Sequence, residues 1–434
     1  IFQLESPGMR NLLVNLKTSS FMDIVNANAL YRPGPMEMIP VFVRRKFGEE
    51  VIYLHNDLKN ILKETYGTIV FQEQIMLIAQ RFAGYSLGMA DVLRRAVSKK
   101  NSEIIESERV KFIQGAINNG YTKELGNEVY DYIAKFANYG FNKSHSVAYS
   151  MISYWMAYLK VNYYQYFMAN LMTNSVGNNK LMQRYVMDCK KNGIEVKQPH
   201  INISTERFVA TEIGIYYSLL GIANVGNVVV RKILDIREDG AFSSYEDFIN
   251  RCGDFMTKRM VANLVHAGAL SCFGITNKEM LETFDSLKDK QVYVNVLGDK
   301  IINNKKEYEE YSFDEISMME KEALGFNLKY SLFIKYSQVK EKYRAIELAS
   351  LRIGICNILF IIRHIKEIKT KKGDAMAFLE IYDDTANADA VLFPVTYNRF
   401  KDILKVGSTY LAKGKVEVRN GKMQVVFENV YTVK

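Results

Sequence analysis

The sequence has few cysteines and no long apolar run. The cysteines form no Cys-x-x-Cys pair and have no histidine at metal-ligand spacing, so we expect neither a disulfide framework nor a zinc site. The most apolar stretch, residues 151–172, is interrupted by Lys160, Asn162 and Gln165, whereas a membrane span needs about 20 apolar residues. We therefore expect a protein of the reducing cytoplasm. The four cysteines are Cys189, Cys252, Cys272 and Cys356.

The sequence also has no acidic motif of the kind that catalyses phosphoryl transfer. Two-metal catalysis needs carboxylates that hold divalent ions about 4 Å apart, and no Asp-x-Asp occurs in the chain. Asp383 and Asp384 are adjacent, but they fall in a predicted barrel loop, where turn formation accounts for them. A phosphate-binding lysine loop and a serine-hydrolase elbow are missing as well. We expect no catalytic residue and no metal site in this sequence.

The first residues, Ile1 to Glu5, contain no initiator methionine and no basic segment. They do not form a signal peptide, and we expect the chain to be a fragment of a longer protein.

The chain carries an excess of positive charge, with 57 Lys and Arg against 48 Asp and Glu, a net charge of +9 and a pI of about 9.0. Clustered cations bind polyanions by releasing condensed counterions. The alternative is a merely basic protein.

Periodicity and turn signals divide the 434 residues into four predicted parts and give a multidomain, mainly α fold with a C-terminal all-β unit. The last part combines several short strands with an Asn420-Gly421 hairpin signal, which favours a small barrel or sandwich. The third part has one strand-like stretch, residues 292–296. The parts are a helical domain at 1–175, a region of short helices and tight turns at 176–275, a charged helical connector at 276–350 and the strand-rich unit at 351–434.

Two basic clusters precede residue 150. Arg94 and Arg95 are followed by Lys99, and Arg95 and Lys99 share a helix face, where like charges repel unless an anion lies between them. Lys143, Ser144 and His145 follow a glycine-containing turn and open a helix, whose N-terminus attracts phosphate. Both clusters predict an anion site. The alternatives are a solvated basic helix end for the first cluster, and a helix capped by Ser144 or Ser146 for the second.

Two glycine turns predict contacts with a nucleic-acid backbone. In the stretch Leu220 to Gly226, Gly221, Val225 and Gly226 form an apolar-glycine turn of the helix-hairpin-helix kind, and Arg231 and Lys232 follow on the next helix. A weaker copy centres on Gly268, near Lys258 and Arg259. Two copies in a basic chain favour sequence-independent DNA binding over packing alone.

The strand-rich unit is basic and contains aromatic residues on or beside its predicted strands. Residues 351–434 hold 14 Lys and Arg against 9 Asp and Glu, an excess of 14 − 9 = +5. Small barrels bind single strands through such aromatic and basic surfaces. We single out Phe378 and Tyr397 as base-stacking candidates, although alternating aromatics of this kind also form barrel cores. The aromatics are Phe378, Tyr382, Phe393 and Tyr397.

Five ordered blocks give the first 150 residues a family likeness. The blocks are Phe2 to Met9, Ala29 to Pro35, Tyr66 to Gln74, Ala90 to Ala96 and Gly140 to Ser146. They resemble the bacterial DNA polymerase III alpha subunit, and the Gly221 turn, the Gly268 block and the terminal barrel continue the likeness. An oligonucleotide-binding (OB) fold at the C-terminus resembles the DnaE type rather than the PolC type.

This resemblance implies a function and its residues. The helical domain corresponds to the fingers, where Arg94, Arg95, Lys143 and His145, with neighbouring Lys99 and Ser144, meet the incoming dNTP. Residues 176–275 correspond to a tandem helix-hairpin-helix region that binds primer-template DNA, and residues 351–434 to an OB barrel that meets single-stranded template. The catalytic palm with its Mg²⁺ ligands would precede Ile1, so this chain alone would be inactive. The alternative is a non-enzymatic, sequence-independent DNA-binding protein that uses the hairpins and the barrel.

The resemblance also implies protein partners, the sliding clamp and other replisome subunits. The family's clamp-binding peptide is expected near residues 285–300. Only the segment Gln291 to Leu297 stands there, and it matches poorly.

Overall fold

The computed structural model describes residues 1–98, 102–137, 140–297, 307–370, 372–419 and 422–433. The chain divides into two compact units, Ile1–Tyr163 and Tyr164–Lys434. The fold class predicted from the sequence, mainly α with a C-terminal OB-like barrel, is confirmed. The described residues contain no helix long and apolar enough to cross a membrane.

The first unit consists of helices packed around two apolar clusters. One cluster includes Ile75, Phe82 and Phe112, and the other includes Leu16 and Phe42, all fully buried. The helices are α1 Pro7–Leu16, α2 Phe21–Leu30, α3 Ile39–Lys46, α4 Asn56–Leu62, α5 Gln72–Ala83, α6 Leu87–Ser98, α7 Ser102–Asn118, α8 Lys123–Ala137 and α9 Lys143–Asn162.

The second unit begins with a helical part that encloses a small sheet. Its three strands run in the order β1-β3-β2, with β1 parallel and β2 antiparallel to β3. The strands are β1 Val196–Lys197, β2 Val209–Thr211 and β3 Gly214–Tyr216. The helices are α10 Tyr164–Thr173, α11 Asn179–Lys191, α12 Asn227–Glu238, α13 Tyr245–Cys252, α14 Lys258–His266, α15 Asn277–Leu297, α16 Phe313–Leu324, α17 Leu332–Lys335 and α18 Ser337–Tyr343.

A closed five-stranded barrel completes the second unit. The strand order is β4-β5-β6-β8-β7, with β6 parallel to β8 and the other neighbours antiparallel. A short helix, α19 Pro394–Phe400, lies between β6 and β7 and packs against β5. This strand order with one interposed helix is the Greek-key arrangement of an OB fold. The strands are β4 Gly354–Lys369, β5 Ala375–Tyr382, β6 Asn387–Leu392, β7 Thr409–Arg419 and β8 Lys422–Thr432.

One local prediction is wrong. The strand-like stretch at 292–296 lies inside α15, because its alternating valines continue a helix that begins at Asn277. In the first unit, α9 starts at Lys143, directly after the glycine-containing turn, as predicted. The four-part division of the chain stays a prediction beside the two units found here.

Candidate nucleotide and nucleic-acid sites

A short turn at the start of α5 joins three distant segments of the first unit. The Gln74 side chain accepts hydrogen bonds from the backbone N–H groups of Val70 and Phe71, which closes the turn. Phe71 forms an isolated parallel bridge with Phe141, and the Gln72 N–H donates to the Phe141 carbonyl at 2.9 Å. The start of α5 therefore lies directly beside the start of α9.

Arg94 is held against this turn. Its guanidinium donates to the Gln72 side-chain oxygen at 2.9 Å and to Asp91 at 2.8 Å. Arg95 pairs with the other oxygen of Asp91 at 2.7 Å, but its side chain is 66% exposed against 23% for Arg94. The Arg94 hydrogen bond, together with both positive charges, lowers the pKa of Asp91. One carboxylate thus positions two arginines and leaves a net positive charge.

The other cluster, at the start of α9, contacts the same turn. The Lys143 ammonium pairs with Glu64 at 2.8 Å and lies 5.7 Å from the centre of the Phe71 ring. Ser144 and His145 are exposed beside it. Lys99, which the sequence analysis also assigned to this site, lies outside the described residues. Of the predicted nucleotide-binding residues, the structure thus brings Arg94 and Lys143 to one short turn.

Helix α9 begins at Lys143, as predicted, and the alternative of a serine cap does not hold. Its N-cap is Asn142 rather than Ser144 or Ser146, and the Asn142 oxygen accepts from the His145 N–H at 2.7 Å. The Lys143 N–H donates to both carboxylate oxygens of Glu73, at 2.9 and 3.0 Å. Glu73 therefore occupies the position that a helix N-terminus offers to an anion. A phosphate could contact the side chains at this helix start, but it would compete with Glu73 for the backbone N–H of Lys143.

His145 also lines a cleft of about 430 Å³ that sequence reasoning did not find. Its ring lies 4.1 Å from that of Tyr149, and the Tyr149 ring lies 5.3 Å from that of Phe2. Arg32 reaches the same cleft, with its guanidinium 4.1 Å from the centre of the Phe141 ring. Burial lowers the pKa of Arg32. Arg32 belongs to the block Ala29 to Pro35. Its position next to a Pro-Gly turn was the sequence feature that could have indicated this cleft.

In the second unit, the first glycine turn leads into an exposed helix. Gly226 is the N-cap of α12 and makes no side-chain cap hydrogen bond. Its φ of −83° suits any residue, and a Cβ added there would meet no described atom within 4 Å. Arg231 and Lys232 are exposed on the same helix, where Lys232 lies 5.1 Å from the centre of the Phe255 ring. An anion can therefore approach this helix end closely.

The other predicted turn residues pack inside the protein and are not exposed on its surface. A Cβ on Gly221 would lie 2.3 Å from the Tyr217 ring, and Val225 is 3% exposed within the core. Gly268 is buried, and a Cβ there would lie 2.6 Å from the Gln198 side chain. Val225 and Gly268 are thus buried, and their DNA contacts stay a prediction. Gly268 ends α14 with a φ of 79°, which glycine adopts without strain.

The two aromatic candidates of the barrel differ in their exposure to solvent. Phe378 lies on β5 opposite Lys366 and is partly exposed, as a base-stacking residue would be. Tyr397 lies on α19 rather than on a strand, is 4% exposed and belongs to the barrel core. The prediction that Tyr397 meets a base is therefore corrected, because its ring seals the barrel. A guanidinium–ring contact joins Arg363 to Tyr382 at 4.9 Å.

The adjacent acids Asp383 and Asp384 lie in the loop between β5 and β6, as predicted. Asp383 accepts from the N–H groups of Leu348, Thr385 and Ala386. Asp384 accepts from the Phe333 N–H at the start of α17. The pair therefore fastens two segments of the connector to the barrel. Among the described residues, no three His, Cys, Asp or Glu side chains group together as a metal site.

Family models match three stretches of the chain. The finger domain of the bacterial DNA polymerase III alpha subunit matches residues 1–120. A helix-hairpin-helix motif matches residues 193–280, and an OB-fold nucleic acid binding domain matches residues 361–433. These matches cover the clusters around Arg94, the Gly226 turn and the barrel.

Curated relatives match the chain along its whole length. It is 40% identical to DNA polymerase III subunit alpha of Bacillus subtilis over 447 residues, covering 98% of this chain and 40% of the relative. It is 37% identical to the subunit of Borreliella burgdorferi over 458 residues, covering 100% and 40%. The chain thus spans about two fifths of the length of these relatives.

Solved structures match about a fifth of the chain. One is the second OB-fold domain of replication protein A from Methanococcus maripaludis, at 18% identity and a TM-score of 0.18, covering 21% of this chain and 95% of that one. Another is a replication protein A heterotrimer bound to single-stranded DNA, at 10% identity and a TM-score of 0.16, covering 21% and 66%.

Proposed function

Because this chain is related along its whole length to the alpha subunit of bacterial DNA polymerase III, we propose that it serves template-directed DNA synthesis by binding the incoming dNTP and the primer-template. The catalytic palm, with carboxylates that hold Mg²⁺, lies upstream of Ile1 in the full-length subunit. This chain contributes the fingers, the hairpin region and the barrel. Its own acidic residues have structural roles, as Asp91, Glu73 and Asp383 illustrate.

The observation that carries the nucleotide assignment is that Arg94 and Lys143 both contact the turn from Phe71 to Glu73. The two residues are almost 50 positions apart in the sequence, yet the Arg94 guanidinium donates to Gln72 and the Lys143 backbone N–H donates to Glu73. A triphosphate carries three to four negative charges, and charge-assisted bonds to it contribute roughly 1.5–3 kcal/mol each before losses. We assign Arg94, Arg95, Lys143 and His145 to the triphosphate and the neighbouring cleft to the nucleoside.

The test uses the full-length subunit carrying Lys143→Ala or Arg95→Ala. Loss of one charge-assisted contact should raise the apparent KM for dNTP roughly tenfold, at about 1.4 kcal/mol per decade. Primer-template affinity should change little, since the contact is to the nucleotide. Arg95 is the cleaner site because its side chain is largely exposed and its removal leaves the core intact.

Lys59→Ala is the matched control, since it removes an exposed lysine from α4 in the same unit. Its KM for dNTP should equal that of the wild type. If the Lys143 and Arg95 variants melt normally and use dNTP like the wild type, the nucleotide assignment is wrong. A lowered melting temperature with unchanged KM would assign both residues to the fold alone.

DNA binding by this chain rests on the exposed start of α12 and on the outer face of the barrel. Gly226 leaves the first-turn N–H groups of α12 open to a phosphate, and Arg231 and Lys232 add charge on that helix. We propose that α12 holds duplex DNA without reading its sequence. Phe378 and Lys366 on the barrel then meet the single-stranded template.

A further inference from the structure

The long helix α9 buries its polar side. Its buried positions are Ser146, Ser150 and Ser153, and two of these hydroxyls donate to distant backbone carbonyls, Ser146 to Val25 and Ser153 to Phe2. A surface helix ordinarily buries an apolar stripe and exposes polar residues. In α9 this arrangement is reversed.

The exposed side of the same helix is apolar and aromatic. Its large side chains are between 41% and 81% exposed, and at 3.6 residues per turn they cover roughly half of the helix circumference. Between Met151 and Tyr163, the sequence has a single charged residue, Lys160. Soluble proteins seldom leave so large an apolar surface in water. We call this surface the aromatic face; it consists of Ile152, Tyr154, Trp155, Tyr158, Leu159, Val161 and, just after the helix, Tyr163.

The composition of the aromatic face fits a protein better than a nucleic acid. The centres of protein interfaces are rich in Tyr and Trp and poor in charged residues. A DNA backbone instead requires clustered Lys and Arg, which this surface does not supply. The partner is therefore expected to present apolar side chains.

The start of the chain lies against the same helix, on its buried side. The Phe2 carbonyl accepts from the Ser153 hydroxyl at 2.8 Å, and the Phe2 ring lies 5.3 Å from that of Tyr149. Ser153 is buried and turned away from the aromatic face, since residues one position apart do not share a helix face. Polypeptide that precedes Ile1 in the full-length subunit therefore begins at α9, and the relatives are more than twice as long as this chain.

We propose that the aromatic face of α9 is the surface on which the segment upstream of Ile1 packs. This inference rests on the proposed function, in which that segment carries the catalytic domain. The contact fixes the fingers against the upstream domain through buried aromatic side chains, while the inward serines fix α9 to the rest of the first unit.

Hydroxyl-radical footprinting with mass spectrometry tests this proposal on the chain and on the full-length subunit. Trp155 is the single tryptophan of the chain, which makes its oxidation simple to assign here. Trp155 and Tyr158 should label rapidly in this chain and at least several-fold more slowly in the full-length subunit. Tyr431, 55% exposed on the barrel, is the internal reference and should label equally in both.

Three outcomes would overturn the proposal. The first is equal labelling of the face in both proteins. The second is protection that appears only when primer-template DNA is added, which would identify DNA as the occupant. The third is protection of this chain alone that disappears on dilution, which would identify a second copy.

Trp155→Glu gives an independent test, with Val228→Glu on exposed α12 as the matched control. In this chain neither substitution should change the melting temperature, because both side chains are exposed. In the full-length subunit Trp155→Glu should increase labelling of Tyr158, whereas the control should not; equal labelling would contradict the proposal. The readout involves no nucleotide or DNA, so it fails independently of the proposed function.

Discussion

Single residues of this chain show how one side chain can satisfy both the fold and a ligand. Asp91 orients Arg94 and Arg95 with one carboxylate, and Glu73 fills the anion position at the start of α9. Glu320 is fully buried and accepts backbone N–H groups from three consecutive residues, 328–330. These acids stabilise local structure, and their positions decide which cations remain available to a phosphate.

At Gly226 a substitution that suits the helix should weaken DNA binding, so stability and affinity are expected to change in opposite directions. Gly226→Asp places an N-cap acceptor at the start of α12, which should leave stability unchanged or raise it by a few tenths of a kcal/mol. The same carboxylate should repel a phosphate at the helix end, so affinity for duplex DNA should fall roughly tenfold, or about 1.4 kcal/mol. Fluorescence anisotropy with labelled duplex and a thermal melt measure the two effects.

Gly88→Asp is the control for charge, because this glycine on α6 also faces open space. It should leave affinity for duplex nearly unchanged. Unaltered binding by the Gly226 variant would remove α12 from the DNA contact. Gly221 is unsuitable for this purpose, since any Cβ there would collide with Tyr217 and disturb the fold.

Among the elements, the loop between β5 and β6 is one whose contribution to stability should depend on pH. Burial raises the pKa of Asp384 to about 6, and it raises that of Asp383 as well. A carboxyl group with a raised pKa in the folded state favours folding while protonated. Its contribution is complete below the unfolded pKa near 4 and is lost as the pH rises through about 6.

Asp384→Asn keeps an oxygen that can accept from the Phe333 N–H and removes the titration. Its free energy of unfolding should match the wild type near pH 4 and exceed it by on the order of 1–3 kcal/mol at pH 7, since one pKa unit corresponds to about 1.4 kcal/mol. Urea unfolding at several pH values measures this difference. Asp374→Asn, at an exposed turn, is the control and should show no such trend. A difference that does not vary with pH would contradict the raised pKa.

At the scale of the whole molecule, the net charge of +9 favours DNA binding. The absence of an Asp-x-Asp motif from the sequence predicts that the chain has no polymerase activity of its own. We expect this chain to bind primer-template with an affinity that falls steeply with salt. About six phosphate contacts would lower it roughly 10³-fold between about 50 and 200 mM. With Mg²⁺ and all four dNTPs it should not extend the primer, because the sequence contains no Asp-x-Asp pair to hold the metal ions. Extension by the purified chain would refute the predicted lack of polymerase activity. An affinity that does not change with salt would refute binding through phosphate contacts.

The sequence by itself determined the family likeness, the mainly helical fold with its terminal barrel, the start of α9 and the Gly226 turn, because these depend on neighbours along the chain. Only the tertiary structure decided what each side chain meets. The Lys143 N–H finds its carboxylate 70 residues away at Glu73, and burial removes Tyr397 and Gly268 from the surface. The aromatic face of α9 has the same origin. Aromatic residues ordinarily predict the buried side of a helix, but here Ser146 and Ser150 form hydrogen bonds with Val25 and Asn28 of α2, so the serines point inward and the rings point out.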